Sequence, residues 1–212
     1  MSVNLTDTNN STPLHISAEF GHLEGMKSLV ERGADINIRD DNNNNNTVLH
    51  LAAVAVNVDI IKGISVNLTD TDDSTPLHIS AEFGHLEGMK TLAERGADIN
   101  IRDDNNNNTA LHLAAVAGSV DIMKLLLDKG ISVNLTNTDE FTPQHVSAEF
   151  GHLEATQILV EEDAAINNTN KYGVTPLMLG AYNGKLESVH YLTVIGTKNI
   201  TVLHLAIYIR DA

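Results

Sequence analysis

The sequence predicts an all-α solenoid, in which pairs of antiparallel helices stack side by side and turns project from one edge. The first observation is an internal repeat: Ser11–Lys27, with the sequence STPLHISAEFGHLEGMK, recurs letter for letter at Ser74–Lys90. The second is a series of threonines, 26 to 35 residues apart, that open related segments: Thr12, Thr47, Thr75, Thr109, Thr142, Thr175 and Thr201. A period of about 33 residues is typical of helical arrays, in which each unit buries its apolar face only against its neighbours.

The first repeat shows how the residues predict each element. Thr12 caps a helix through its hydroxyl group, and Pro13 fits the first turn, where no N–H is needed. Gly21 predicts the left-handed end of this helix. Apolar residues then recur at helical spacing and predict a second helix, which Gly33 ends: Leu23, Met26, Leu29 and Val30. Residues 34–37 are expected to run extended into the projecting turn of the repeat.

The signature Thr-Pro-Leu-His, followed by Ala-x-x-Gly-His-Leu-Glu and Gly-Ala-Asp-Ile-Asn, resembles the ankyrin repeat. Matching segments run from Ser2 to the C-terminus, so the resemblance implies one ankyrin-repeat domain over 1–212, with about six repeats and a terminal half repeat. It implies an all-α ankyrin-repeat solenoid of paired antiparallel helices with projecting β-turn fingers. The family usually binds other proteins, and we expect the same function here.

Several repeats depart from this pattern. Runs of Asn at 42–46 and 105–108 are expected to lengthen two fingers, because Asn adopts the left-handed conformation more readily than other non-Gly residues. A five-residue deletion after Lys62 shortens the second repeat and predicts the weakest point of the array at Val56–Ser65. The sixth repeat lacks a finger, because the next anchor threonine follows Gly196 after five residues.

Composition excludes several classes of function. The chain has no Cys, so it forms no disulfide and no thiolate metal site. Its net charge of −15 disfavours nucleic acid and anionic membranes as partners, because both select a basic face. No apolar run is long enough for direct membrane insertion, and the N-terminal residues lack the pattern of a secretory signal peptide. We therefore expect a cytoplasmic protein, with a nuclear location as the alternative.

Ten histidines raise the question of a metal site. The fourth position of the signature is Met178 in the sixth repeat and His in the others: His15, His50, His78, His112, His145 and His204. Stacked helices lie about 8–10 Å apart, whereas zinc ligands must all reach one ion at about 2 Å. One His per repeat cannot share a metal, so no metal or other cofactor is predicted. The resemblance implies instead that each of these histidines bonds to the backbone of the adjoining finger.

The sequence contains no pattern of catalytic residues. It has no cysteine nucleophile, no Gly-x-Ser-x-Gly segment and no glycine-rich phosphate-binding loop. Adjacent carboxylates in the turns are expected to be solvated rather than to act as acid–base pairs or calcium ligands: Asp40–Asp41, Asp72–Asp73, Asp103–Asp104 and Asp139–Glu140. We therefore predict that the chain is not an enzyme.

The remaining candidate is a contact surface. The resemblance implies that the exposed pair near the end of each first helix, together with the fingers, contacts a partner. The candidate contact residues among these pairs are Glu19, Phe20, Glu82, Phe83, Glu149, Phe150 and Tyr182, and the candidate finger residues are Asp41, Asp104, Phe141 and Tyr172. Aromatic side chains often dominate binding energy. The alternative is that each Phe packs on the neighbouring helix and only the Glu is free.

These observations predict a non-catalytic scaffold that binds another protein through its concave helix face and finger turns. The acidic fingers favour a partner with a basic segment, and the chain is expected to be monomeric unless exposed terminal repeats pair. The alternative is a fragment of a larger multidomain protein, an enzyme adaptor or a membrane-associated scaffold, whose active domain lies outside this chain. Four apolar residues of the last repeat favour this alternative, because terminal repeats normally have a polar outer face: Leu203, Leu205, Ile207 and Ile209.

Overall fold

The computed structural model describes residues 2–41, 46–54 and 65–195, and this part of the chain is helical as predicted. Its eleven helices are α1 (Pro13–Glu19), α2 (Leu23–Glu31), α3 (Val48–Val54), α4 (Pro76–Glu82), α5 (Leu86–Glu94), α6 (Ala110–Ala117), α7 (Val120–Asp128), α8 (Pro143–Phe150), α9 (Leu153–Glu161), α10 (Pro176–Tyr182) and α11 (Leu186–Ile195). The first helices of the repeats are α1, α3, α4, α6, α8 and α10. The second helices are α2, α5, α7, α9 and α11.

The chain divides into two compact units, residues 1–105 and residues 106–212. In the first unit, α1 packs against α2 and α3, α3 packs against α4, and α4 packs against α5. In the second unit, α6, α8 and α10 pack in succession, and their partners α7, α9 and α11 pack in the same order beside them. The assignment of 1–212 to a single domain stays a prediction.

Threonine side chains start the first helices, as predicted. Thr12, Thr75 and Thr142 have extended backbone with ψ of 164°, and each hydroxyl oxygen accepts a hydrogen bond from the backbone N–H three residues later. Pro occupies the following position, where its fixed φ suits the helix and its missing N–H has no consequence. This local geometry explains why Thr-Pro marks the start of these repeats.

The core of each unit consists of aliphatic and Met side chains from both helices of the repeat. The largest side chains that are less than 2% exposed are Leu14, Met26, Leu49, Leu77, Met89 and Leu92 in the first unit, and Leu111, Ile122, Met123, Leu126 and Leu159 in the second. Small residues at the helix contacts, such as Ala18 and Ala148, are 0% exposed. Each fully buried Leu or Met contributes about 1.5–3 kcal/mol, so burial between neighbouring repeats stabilises both units.

The prediction that residues 34–37 run extended is wrong at 36–37, where the chain forms a turn. The Asp35 carboxylate accepts a hydrogen bond from the backbone N–H of Asn37 at 3.0 Å. The same bond joins Asp98 and Asn100 at 2.9 Å. A short acidic side chain thus bends the backbone two residues ahead, which is a common turn-forming contact of Asp.

Several predictions concern residues outside the described ranges. The weak point at Val56–Ser65 lies outside them except for Ser65, and the missing finger after Gly196 and the half repeat from Thr201 lie wholly outside. The first Asn-rich run falls outside at 42–45. In the second run Asn107 has φ of +59°, which is the left-handed conformation expected for Asn in a lengthened fingertip.

The fifth repeat carries a polar side chain in its core. Gln144 is 0% exposed at the signature position that is Leu in the other described repeats. Its amide nitrogen donates a long hydrogen bond of 3.5 Å to the carbonyl oxygen of Thr156, and its Oε1 has no hydrogen-bond partner. An unpaired buried polar atom costs about 1–3 kcal/mol, so Gln144 weakens the second unit.

The substitution Gln144→Leu should raise the free energy of unfolding by about 1–3 kcal/mol, because it removes the unpaired oxygen and restores an apolar core side chain. Urea unfolding followed by circular dichroism measures the change as a higher midpoint at constant slope. The matched control is Leu177→Gln in the next repeat, which should lower stability by at least as much. Equal midpoints for Gln144→Leu and the parent chain would contradict this account of the core.

Candidate functional site

The Glu–Phe pairs lie at the C-terminal ends of first helices. α1 ends at Glu19 and α4 at Glu82, and Phe20 and Phe83 are the cap residues that follow. Phe150 is the last residue of α8. In chain order the three Phe side chains are 65%, 55% and 47% exposed. Each ring therefore presents about half of its surface or more to solvent.

Each of these rings is supported by a histidine from the turn between the two helices of its repeat. The ring centroids are 6.2 Å apart in all three stacked pairs: Phe20–His22, Phe83–His85 and Phe150–His152. His152 also donates through Nε2 to the carbonyl oxygen of Val116 at 2.9 Å. Offset stacking of this kind favours a defined orientation of the rings, so each exposed Phe face is held by its own repeat.

The helix ends of the second unit form a continuous group. α8 and α10 pack against each other, so the ends that carry Glu149, Phe150 and Tyr182 belong to neighbouring helices. Tyr182 is 71% exposed. Glu149 is partly buried, and burial raises the pKa of its carboxyl group. In the first unit, by contrast, α3 lies between the two helices that carry Glu–Phe pairs.

One Asp or Asn side chain shapes the base of each of four fingers. The Oδ1 of Asp7 accepts hydrogen bonds from the backbone N–H groups of Asn9 and Ser11, both at 2.9 Å. The same two bonds, at 2.9–3.0 Å, recur in three other fingers at Asp70, Asn137 and Asn170. These contacts close the turn and orient the fingertip that follows.

The prediction that the adjacent carboxylates are solvated is wrong for one member of two pairs. Asp40 is 2% exposed and Asp103 is 4% exposed. Asp40 accepts a hydrogen bond from the backbone N–H of Asn46 at 2.8 Å, and burial raises the pKa of its carboxyl group. The candidate residues Asp41 and Asp104 are exposed. Their backbone N–H groups donate to a carbonyl oxygen of the preceding finger at 2.8 and 2.7 Å, which holds their side chains outward on a fixed backbone.

The fingers of the second unit carry aromatic residues. Phe141 is half-buried, and its ring tilts against His145 with centroids 5.6 Å apart. Tyr172 is 66% exposed, and the Nζ of Lys171 lies 5.2 Å from its ring centre. Lys171 also forms an ion pair with Asp139 of the preceding finger, and this hydrogen bond raises the pKa of Lys171. The charge of Asp139 is therefore balanced within the unit.

Histidines tie the fingers to the first helices. Five histidines do this in the same way: His15, His50, His78, His112 and His145. The Nδ1 atom of each ring lies 3.1–3.2 Å from the backbone nitrogen of its anchor threonine. The Nε2 atom lies 3.0–3.1 Å from a finger carbonyl oxygen. A backbone N–H only donates and a carbonyl oxygen only accepts, so each imidazole is neutral and carries its hydrogen on Nε2. The expected bond from this histidine to the finger backbone is confirmed in these five repeats, and His204 lies outside the described residues.

Three structural roles were not predicted from the sequence. Capping was assigned to the anchor Thr alone, whereas the histidine Nδ1 completes the cap. The Asp or Asn at the finger base has a signal in the sequence, since it precedes the anchor Thr by five residues at Asp7, Asp70, Asn137 and Asn170. A third role links successive repeats: a side-chain Oδ1 accepts a hydrogen bond at 2.8 Å from the backbone N–H 31 residues later at Asn4, Asn67 and Asn134.

Among the residues that the structure describes, no three His, Asp or Glu side chains are grouped so as to hold a metal ion. In the same ranges no helix combines the length and the apolar character needed to cross a bilayer. The arrangement is one of exposed aromatic and acidic side chains on a backbone held by repeated hydrogen bonds.

The chain matches a known protein family along most of its length. A family model described as ankyrin repeats in three copies matches residues 1–65, 58–137 and 131–202. An ankyrin repeat protein of Fowlpox virus is 33% identical over 111 residues, which are 49% of this chain and 32% of the relative. A homologue of transient receptor potential cation channel subfamily A member 1 from Caenorhabditis elegans is 32% identical over 102 residues, 45% of this chain and 8% of the relative. A palmitoyltransferase of Danio rerio is 36% identical over 93 residues, 41% of this chain and 15% of the relative.

The neutral histidines predict a loss of stability in mild acid. Burial lowers the pKa of His15, His50 and His145 below the usual 6.5, to about 4 for His50. Between the lowered pKa of the folded state and 6.5, the unfolded chain binds protons that the folded chain does not. The free energy of unfolding therefore keeps the full contribution of these histidines above pH 6.5 and loses it as the pH falls. For His50 the loss between pH 7 and pH 5 is about 2 kcal/mol, which urea unfolding at the two pH values measures.

Two variants make the measurement specific. His50→Gln should reduce the difference in unfolding free energy between pH 7 and pH 5, whatever it does to stability at pH 7. His190→Gln, which removes an exposed histidine of α11 instead, serves as the matched control. An unfolding free energy of the parent chain that does not fall from pH 7 to pH 5 would show that the buried imidazoles are not held neutral.

Proposed function

The chain belongs to the ankyrin-repeat family, and from this premise we propose that it is a non-catalytic module that binds another protein. The proposed contact surface consists of the first-helix ends and the fingers. The observation that carries the proposal is the set of exposed Phe rings, 47–65% exposed and each stacked on a histidine: Phe20, Phe83 and Phe150. Tyr182 adds a further exposed ring at the end of α10.

Rings held in this way suit binding for an energetic reason. Ordering a mobile side chain at an interface costs about 0.5–1.5 kcal/mol of free energy. Stacking on His22, His85 or His152 orders each Phe ring before binding, so less conformational freedom is lost when a partner binds. The exposed face of each Phe can then enter an apolar pocket of a partner, where aromatic residues commonly dominate the binding energy. Within the first unit, α3 lies between the helices that carry Phe20 and Phe83, and this spacing favours an extended partner segment over a small ligand.

Charge favours a basic partner segment, above all at the first unit. Residues 1–105 contain 17 acidic and 7 basic residues, whereas residues 106–212 contain 11 and 6. In the first unit the acidic candidate residues are exposed: Glu19, Asp41, Glu82 and Asp104. In the second unit the finger carboxylate Asp139 is paired with Lys171. Attraction between exposed charges mainly speeds association, and salt screens this attraction. The affinity for a basic segment should therefore fall as ionic strength rises.

A second candidate function is that of one part of a larger protein whose activity resides elsewhere. The observation that favours it is the short span of the similarity: the matched segments cover 7 to 32% of the length of the relatives. The relatives include a cation channel homologue and a palmitoyltransferase. In this candidate the repeats would bind a partner or another domain for such an activity, and the chemistry would lie outside them.

The triple variant Phe20→Ala, Phe83→Ala, Phe150→Ala tests the proposed surface. Proteins captured by the immobilised parent chain are identified, and the affinity of each for both chains is then measured with purified components. A partner that uses the rings should bind the variant at least about tenfold more weakly, because each buried aromatic anchor contributes about 1 kcal/mol or more.

The matched control replaces an exposed carboxylate residue at the second position of α2, α5 and α7: Glu24, Glu87 and Asp121, each to Ala. This control should retain the partner, and both triple variants should keep the helical circular dichroism of the parent. Partners that bind the Phe variant as tightly as they bind the parent would exclude the first-helix ends as the contact surface.

A further inference from the structure

The outer faces of the second helices differ between repeats. In α2 and α5 this face carries Glu–Lys ion pairs with N–O distances of 2.9 and 2.6 Å. The fifth position of the second helix is Lys in α2, α5 and α7, but it is Gln157 in α9 and His190 in α11. The ninth position is Glu or Asp in the other four second helices and Val194 in α11. The charged outer face of the earlier repeats is therefore replaced by a largely apolar one.

These two helices enclose an open apolar groove of about 510 Å³, here called the α9–α11 groove. Its walls include Leu153 and Gln157 from α9, and Leu186, Tyr191 and Val194 from α11. Leu186 is 79% exposed and Val194 is 70% exposed. The groove extends over nine helical positions, or about 12 Å at 1.5 Å per residue, which is the length of two turns of a partner helix.

The rim of the groove is acidic. Glu187 lines it, and Glu154 and Glu161 are exposed on α9. Neither helix contains Lys or Arg. The side chain of Lys185, which precedes α11, lies against Gly151. A second copy of this acidic chain or an anionic lipid surface would meet like charge here, whereas a basic segment would meet opposite charge.

We propose that the α9–α11 groove docks an amphipathic helix of another protein, apolar on one face and flanked by Lys or Arg. Such a helix places residues i, i+3, i+4 and i+7 in the groove, which is a common mode of recognition by grooves between helices. Its basic residues pair with Glu154, Glu161 and Glu187 on the rim. This surface uses second helices only and is separate from the first-helix ends and fingers.

The test uses the full chain and a defined probe. A fluorescein-labelled 14-residue peptide of Leu and Lys, with Leu at i, i+3, i+4 and i+7, is titrated with the chain and followed by fluorescence anisotropy. A peptide of the same composition with its Leu residues spread around the helix controls for attraction between Lys and an acidic protein. The striped peptide should bind at least about tenfold more tightly than the control peptide, because only its Leu residues reach the groove together.

The variants Leu186→Ser and Val194→Ser should each weaken binding of the striped peptide several-fold, while Leu5→Ser, an exposed Leu of the first unit, should not. Hydrogen exchange should slow in α9 and α11 when the striped peptide is bound. Equal binding of the two peptides, or of the two groove variants and the parent chain, would overturn the proposal. So would a fall of several degrees in the melting temperature of the free groove variants, since the groove would then be covered by the chain itself or by a second copy.

Discussion

The structure depends on one hydrogen-bonded chain that recurs in five repeats: the anchor threonine N–H donates to a histidine Nδ1, and the Nε2–H of the same ring donates to a finger carbonyl oxygen. These contacts are 3.0–3.2 Å long in every case. In the sixth repeat Met178 replaces His, yet Thr175 still accepts the capping bond from the Met178 N–H at 3.3 Å. Threonine alone therefore starts the helix, and histidine adds the tie to the finger.

Because buried residues determine the backbone of each repeat, the residue types at exposed positions can differ between repeats. Buried Thr, His and Leu set the helix starts and the fingers, and the Asp or Asn at the finger base closes each turn. The first-helix ends then carry Glu–Phe pairs in three repeats and Tyr182 in the sixth, while the outer faces of the second helices change from ion pairs to the apolar α9–α11 groove. Binding properties can thus differ between repeats that share one backbone.

The fold could be predicted from the sequence because its determinants are local and repeated. Thr, Pro and Gly mark helix ends within a few residues, and the period shows that the helix pairs stack. Whether a carboxylate in a turn is buried is harder to predict from the sequence. Asp40 and Asp41 are adjacent and chemically identical, yet Asp40 is 2% exposed and Asp41 is exposed to solvent. The Asp139–Lys171 ion pair and the α9–α11 groove join residues about one repeat apart, so they require the packed structure.

The protonation state of the five histidines tests this central arrangement most directly. Two-bond ¹H–¹⁵N correlation spectra of the uniformly labelled chain at pH 7 distinguish the two neutral imidazole tautomers from the charged ring. His15, His50, His78, His112 and His145 should all be neutral with the hydrogen on Nε2, because Nδ1 accepts from a backbone N–H. Rings that are charged at pH 7, or that carry the hydrogen on Nδ1, would contradict the tie between the first helices and the fingers.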